Sequence, residues 1–138
     1  MEKFFESSVL SCFPVASEEV PAGFPSPAEN HSGGSLDLTA HLIKHPEATF
    51  FLRVRGDSMT GAGIFDGDLL IVDRSLPPVS GDIVIAVLDG EFTVKRLIIR
   101  NGTIELRPEN PLFKPLRIYE ESQLEIWGVV TAAVKSFR

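Results

Sequence analysis

Ser58 and Lys95 are the two side chains of this sequence whose surroundings point to covalent chemistry. Ser58 follows Gly56 and Asp57, which interrupt an alternating apolar segment at residues 50–55. A turn at the end of a strand can expose a hydroxyl while the strand fixes its position, as for other serine nucleophiles. The alternative is a serine that simply fits a polar turn.

Lys95 lies on a second apolar segment, residues 91–99, and shares one strand face with Thr93 and Leu97. If that face is internal, burial disfavours the ammonium and lowers the lysine pKa. A neutral amine can take the proton from a serine hydroxyl that attacks a carbonyl, so a Ser-Lys pair needs no histidine. From spacing alone, a strand lysine that faces water is the simpler interpretation.

The segments that would hold these two side chains are almost all predicted strands. They are expected at residues 50–55, 68–73, 82–88, 91–99, 103–107, 116–119 and 124–134. Asp89-Gly90 and Asn101-Gly102 are typical of type I′ hairpin turns, and Gly128 indicates a bulge. Short strands between turns predict a mainly β fold, with twisted antiparallel sheets in a partly open barrel.

One short helix is predicted, from Ser35 to His45. Ser35 or Asp37 can cap its first turn, and a proline follows its last residue. His41 and His45 are four residues apart, but no third ligand accompanies them, so no metal site is predicted. No cofactor is predicted either, because the glycines after Ser58 lack the helix and the Lys-Ser/Thr pair of a P-loop.

Residues 1–34 are expected to form a flexible N-terminal arm, and residues 35–138 a folded domain. Four prolines between residues 14 and 34 disfavour helix and sheet interior and favour extended chain. Ala22-Gly23 lies in this arm, where small residues on both sides of a peptide bond let a nucleophile approach. The alternative is an ordinary linker dipeptide.

Composition limits the partners and the location of the protein. The net charge is −6 and no cluster of lysine and arginine is present, so strong direct DNA binding is not expected. The single cysteine, Cys12, excludes an intramolecular disulfide and fits a reducing cytoplasm. No apolar run approaches the ~20 residues of a membrane span, and the N-terminus is no secretory signal. A cytoplasmic location without membrane contact is therefore predicted.

Four motifs follow one another in this chain: Gly56-Asp57-Ser58-Met59, residues 66–73, residues 80–84, and Val94-Lys95-Arg96 behind an Asp-Gly turn. Together they resemble the Ser-Lys self-cleaving family of peptidase S24 type, which includes LexA repressors and UmuD proteins. Ala22-Gly23 matches a cleavage site of that family, and residues 23–28 resemble the segment after the cut in UmuD.

The resemblance implies a UmuD-like homodimer that contacts the RecA–single-stranded DNA filament and cuts itself between Ala22 and Gly23. It implies Ser58 as nucleophile and Lys95 as general base. The shortened protein would then partner a UmuC-type polymerase subunit in error-prone translesion synthesis during the SOS response.

Two other functions stay open. One is a LexA-like repressor, although the 22 residues before Gly23 have no helix-turn-helix pattern. The other is a dimeric interaction module that keeps the fold without the activity.

Overall fold

The computed structural model describes residues 12–17, 19–25, 32–119 and 123–138. The chain forms two compact units, Met1–Lys44 and His45–Arg138. The functional division predicted after residue 34 stays a prediction.

The first unit contains a two-stranded antiparallel sheet. β1 (Cys12–Ala16) pairs with β2 (Ser32–Asp37), and Pro14 lies opposite Ser35. Extended backbone was predicted in this region, but strand pairing was not. Pro14 is tolerated because both strands of a two-stranded sheet are edge strands. Cys12 is a free, exposed thiol.

A helix of one turn follows β2 directly. α1 (Leu38–Leu42) is capped by Asp37, whose side chain accepts a hydrogen bond from Ala40 N at 3.2 Å. The Asp37 cap is therefore confirmed, but the predicted helix is too long at both ends. Ser35 belongs to β2, and Ile43 has the extended backbone of a C-cap residue. Among the described residues, no helix has the length and hydropathy to cross a membrane.

The second unit is built on one antiparallel sheet of seven strands. They are β3 (Thr49–Arg53), β4 (Leu69–Asp73), β5 (Ile83–Leu88), β6 (Glu91–Arg100), β7 (Thr103–Arg107), β8 (Leu116–Ile118) and β9 (Leu124–Val134). Their order in the sheet is β3-β4-β9-β5-β6-β7-β8, so β3 and β8 are edges and the sheet is open. The predicted mainly β, antiparallel fold is confirmed.

Two hairpin turns connect β5, β6 and β7. Asp89 and Gly90 have φ angles of +49° and +85°, and Asn101 and Gly102 have +49° and +77°. Positive φ at both central residues is what a type I′ turn requires. The two predicted hairpins are therefore confirmed.

β9 crosses the middle of the sheet and is irregular near Gly128. Its register with β5 skips Trp127, between Ile126 and Gly128, so the bulge lies beside the predicted glycine. Gly128 has a different role. A Cβ placed there would lie 2.5 Å from Val72 Cγ1, and only glycine permits this close packing.

Two buried apolar clusters stabilise the sheet. The first contains Val54, Met59, Ile64, Leu70, Val72 and Ile85. The second contains Val84, Ala86, Leu97, Leu106 and Val129. Val84 and Ile85 are neighbours in β5 but belong to different clusters, so β5 is covered on both faces.

The burial expected from the alternating apolar residues 50–55 is observed near Val54 but not at Phe50. Val54 is buried and Leu52 half-buried, but Phe50 is 44% exposed. β3 is an edge strand, and the ring of Phe50 packs against Trp127 with centroids 5.3 Å apart. Alternation at residues 50–55 predicts one buried strand face that includes Phe50, and this is wrong at Phe50 because β3 is an edge of the sheet.

Candidate active site

The Ser58 turn begins where β3 ends. Gly56 has a φ of +97°, a left-handed conformation that glycine adopts without strain. Gly56 N donates a hydrogen bond to Asp66 Oδ1 at 2.7 Å. Met59, directly after the serine, is fully buried in the first apolar cluster. A braced turn and a buried side chain thus fix the backbone on the two sides of Ser58.

Lys95 lies in the middle of β6, and its side chain reaches this turn. Its Nζ is 3.1 Å from Ser58 Oγ, 2.8 Å from Thr93 Oγ1 and 3.0 Å from Val94 O. These oxygens match the three donors of an ammonium group. Within the described residues no carboxylate forms an ion pair with Lys95.

Burial lowers the pKa of Lys95 from its ordinary value of 10.5, because desolvation penalises the ammonium. A neutral lysine amine has two N–H donors and one lone pair. Val94 O and Thr93 Oγ1 can accept the two N–H groups. The lone pair is then left for the proton of the Ser58 hydroxyl, an arrangement that suits general base catalysis.

Ser58 and Lys95 face a cleft of about 500 Å³. Ligand clefts in proteins are typically ~300–1,000 Å³, so this space suits a bound ligand or peptide segment. Its lining is mostly apolar, with Arg53 and Arg55 as further charged groups. The apolar lining consists of Leu52, Val54, Leu70, Ile85, Phe92 and Val94.

The structure brings Ser58 and Lys95 together, and their roles as nucleophile and general base stay a prediction. Ala22 and Gly23 belong to the first unit, where both are exposed. A Cβ placed on Gly23 would meet none of the described atoms within 4 Å.

Three residues that contribute to the site were not predicted from the sequence: Thr93, Glu109 and Asn110. Thr93 was assigned only to the strand face of Lys95, yet its hydroxyl contacts the lysine directly. Thr93 lies two residues before Lys95 in β6, so the alternation of strand faces could have identified it as a neighbour of the lysine. Glu109 and Asn110, which contact the Ser58 turn, lie in an irregular segment that has no periodic pattern to mark them.

Comparison with known proteins finds relatives along most of the chain. Residues 14–131 match the family model described as Peptidase S24-like. The chain is 49% identical to protein SamA of Salmonella typhimurium, over 96% of this chain and 92% of SamA. It is 46% identical to protein MucA of Escherichia coli, over 92% of this chain and 89% of MucA. A LexA repressor of Oleidesulfovibrio alaskensis is 49% identical over 80% of this chain, but over 53% of the repressor.

Proposed function

The chain belongs to the Peptidase S24-like family, and we propose that it cuts its own N-terminal arm between Ala22 and Gly23. In this proposal Ser58 is the nucleophile and Lys95 is the general base. The predicted resemblance to UmuD-like proteins is confirmed by SamA and MucA. At the level of the family, the chain is a self-cleaving serine peptidase and a UmuD-like protein of the SOS mutagenesis system.

One observation carries the assignment of the dyad: the 3.1 Å distance between Lys95 Nζ and Ser58 Oγ. Neutral Lys95 accepts the hydroxyl proton while Ser58 Oγ attacks the carbonyl carbon of Ala22. The tetrahedral intermediate collapses as the ammonium of Lys95 gives this proton to the nitrogen of Gly23. The peptide bond breaks, and Ala22 is left as an ester on Ser58. Water, activated by the same amine, then hydrolyses the ester.

A backbone amide is the proposed donor to the oxyanion. Within the described residues the N–H of Ser58 donates no hydrogen bond, whereas the carbonyl oxygen of Ser58 accepts one from Glu109 N at 2.8 Å. An unused N–H on the nucleophile itself is the kind of donor that stabilises the negative charge of a tetrahedral intermediate. This supports the Ser58 amide as one oxyanion donor.

Self-cleavage without the RecA–single-stranded DNA filament is expected to be slow. The arm must be ordered in extended form before it can be cut, which costs conformational entropy, while burial lowers the pKa of Lys95 and so favours the neutral base. Tethering of the arm raises the effective concentration of the Ala22–Gly23 bond at Ser58, so a weak catalyst can still cut its own chain.

The proposed partners follow from the family. The intact protein forms a homodimer and contacts the RecA–single-stranded DNA filament, which favours the cleaving arrangement. Residues 23–138 then partner a UmuC-type polymerase subunit in translesion synthesis in the cytoplasm. The net charge of −6 argues against strong direct binding to DNA.

The share of this chain that each relative matches favours a UmuD-like function over that of a LexA-like repressor. The similarity to SamA extends over 96% of this chain, whereas the similarity to the LexA repressor extends over 80% of it. Specific DNA binding by this chain would reverse the preference. An inactive interaction module is less favoured, because Ser58 and Lys95 are both present and in contact.

The experiment is incubation at alkaline pH, with and without RecA–single-stranded DNA filament, followed by intact mass. Wild type, Ser58→Ala and Lys95→Ala are compared. We expect loss of the mass of residues 1–22 in wild type alone, with filament allowing the reaction nearer neutrality. A wild type that stays whole under both conditions would favour the inactive module.

A further inference from the structure

The main chain of the Ser58 turn is held by a second segment, Glu109–Asn110. Glu109 N donates to Ser58 O at 2.8 Å, and Gly61 N donates to Glu109 O at 2.7 Å. Asn110 Nδ2 donates to Asp57 O at 2.8 Å. The carbonyl groups of the nucleophile and of the residue before it are therefore both held by this dipeptide.

Gly61 allows the two segments to approach this closely. A Cβ on Gly61 would lie 2.5 Å from the carbonyl oxygen of Glu109 and 3.3 Å from its carbonyl carbon. Real Cβ atoms do not come so near a backbone oxygen, so any other residue would push the segments apart. The absence of a side chain at Gly61 therefore allows the hydrogen bond from Gly61 N to Glu109 O.

The side chain of Glu109 links the same segment to the strand of the lysine. Glu109 Oε1 accepts a hydrogen bond from Arg96 Nε at 2.8 Å, and Arg96 directly follows Lys95 in β6. Arg96 Nη1 also donates to Gly81 O at 2.8 Å. The carboxylate and the guanidinium are each about 30% exposed, and ion pairs at such positions add little stability. We therefore expect the Glu109–Arg96 ion pair to affect the position of the Ser58 turn more than the free energy of unfolding.

We propose that Glu109 and Asn110 are positioning residues that hold Ser58 Oγ within reach of Lys95 Nζ and so set the rate of self-cleavage. The inference rests on the proposed Ser-Lys dyad. Asn110 fixes the turn before the nucleophile, and Glu109 connects that turn to the strand of the base. Neither side chain forms a hydrogen bond with Ser58 Oγ or Lys95 Nζ, yet a displacement of ~1 Å at a reacting pair can cost ~100-fold in rate.

The test compares Asn110→Asp, Asn110→Ser and Glu109→Ala with wild type. Asn110→Asp keeps the oxygen that accepts from Leu112 N at 2.9 Å and loses the donor to Asp57 O. Asn110→Ser removes the same donor without adding a charge.

The control variant is Glu105→Ala. Glu105 accepts a hydrogen bond from Arg107 at the same 2.8 Å distance, and both side chains are partly exposed, but no hydrogen bond joins either residue to the Ser58 turn. The two glutamate variants therefore lose a comparable ion pair, and only Glu109→Ala loses one that touches the site.

Two rates are measured for each variant: self-cleavage across an alkaline pH series, and labelling of Ser58 by a small fluorophosphonate, which does not require the arm. We expect both plateau rates to fall about 10-fold or more in the Asn110 variants and by a smaller factor in Glu109→Ala. The burial of Lys95 is unchanged, so the midpoint of the pH profile should move much less than the plateau rates. In Asn110→Ser, which adds no charge, any shift should be downward, because the Lys95 ammonium loses Ser58 Oγ as an acceptor. Glu105→Ala should match wild type.

Rates equal to wild type in the Asn110 and Glu109 variants would overturn the inference, and so would a loss explained by a lower unfolding temperature. If Asn110 variants do not fold, Glu109→Ala decides the question by itself. The dyad is tested separately by Ser58→Ala and Lys95→Ala. A wild type that neither cleaves nor is labelled overturns the dyad, and the positioning role with it.

Discussion

Lys95 Nζ lies 3.1 Å from Ser58 Oγ, although 37 residues separate the two side chains along the chain. The serine follows β3 and the lysine lies in β6, with β4, β9 and β5 between them in the sheet. At ~4.8 Å per strand, a flat sheet would hold β3 and β6 about 19 Å apart. Residues 54–57 and the long side chain of Lys95 therefore carry the two reacting groups toward each other across the sheet.

The rate of self-cleavage is expected to follow the neutral fraction of Lys95. Desolvation by burial lowers the pKa of this lysine below 10.5. The rate of self-cleavage, followed by intact mass, should therefore rise with pH to a plateau. Its half-maximal value should lie at a pH below 10.5. Lys95→Ala should remove the dependence together with the activity. A wild-type midpoint at or above 10.5 would contradict a base that is partly buried.

Replacement of Thr93 by valine should move this profile to lower pH. Thr93 Oγ1 accepts a hydrogen bond from the Lys95 ammonium at 2.8 Å, which favours the charged form. Thr93→Val keeps the side-chain shape but removes the acceptor, so the pKa of Lys95 should fall further. Thr93→Ser, which keeps the hydroxyl, is the control. An unchanged midpoint in Thr93→Val would mean that this hydrogen bond does not influence the titration.

Gly128→Ala should destabilise the sheet by about 1–3 kcal/mol, a typical cost of forced overpacking. Its Cβ would lie 2.5 Å from Val72 Cγ1 and 3.3 Å from Arg74 Cγ. The free energy of unfolding in urea is the measurement, in a Ser58→Ala background that prevents cleavage. Gly23→Ala is the control, since its Cβ meets no described atom within 4 Å. Equal effects of the two variants on the free energy of unfolding would show that the contact between position 128 and Val72 does not decide the outcome.

Asp68 should contribute stability that is lost in acid. The hydrogen bond from Lys135, followed by the one from Phe65 N, lowers the pKa of this buried carboxyl below 3.8. Because the folded pKa lies below the unfolded one, the contribution is complete above pH 3.8 and is lost as pH falls through the lowered pKa.

Asp68→Asn should therefore unfold more easily at neutral pH and show a weaker dependence of stability on acid. Chemical unfolding at several pH values measures both effects, with Glu91→Gln as control, because Glu91 is an exposed carboxyl in the same unit. An acid dependence equal to that of wild type would assign the effect to other carboxyl groups, of which Asp73 is the nearest candidate because its pKa is also lowered.

The sequence by itself determined the seven strands of the main sheet and the two hairpin turns. Alternating apolar residues and the Asp89-Gly90 and Asn101-Gly102 pairs act over a few residues, and each predicted strand is observed with its ends displaced by two residues or fewer. The turn that presents Ser58 is equally local, since Gly56 can adopt positive φ wherever the fold places it. The pairing of Ser58 with Lys95 came from family resemblance, because strand periodicity alone left the lysine in water.

The tertiary structure decided the features that depend on distant residues. Ser35, which was predicted to be helical, lies in β2 because it pairs with Pro14 of β1. Phe50 is exposed because β3 lies at the edge of the sheet. The contacts of Glu109 and Asn110 with the Ser58 turn join segments 50 or more residues apart. Local patterns fix which residues extend and turn, but strand order fixes which of them meet, since that order depends on how the whole sheet buries its apolar faces.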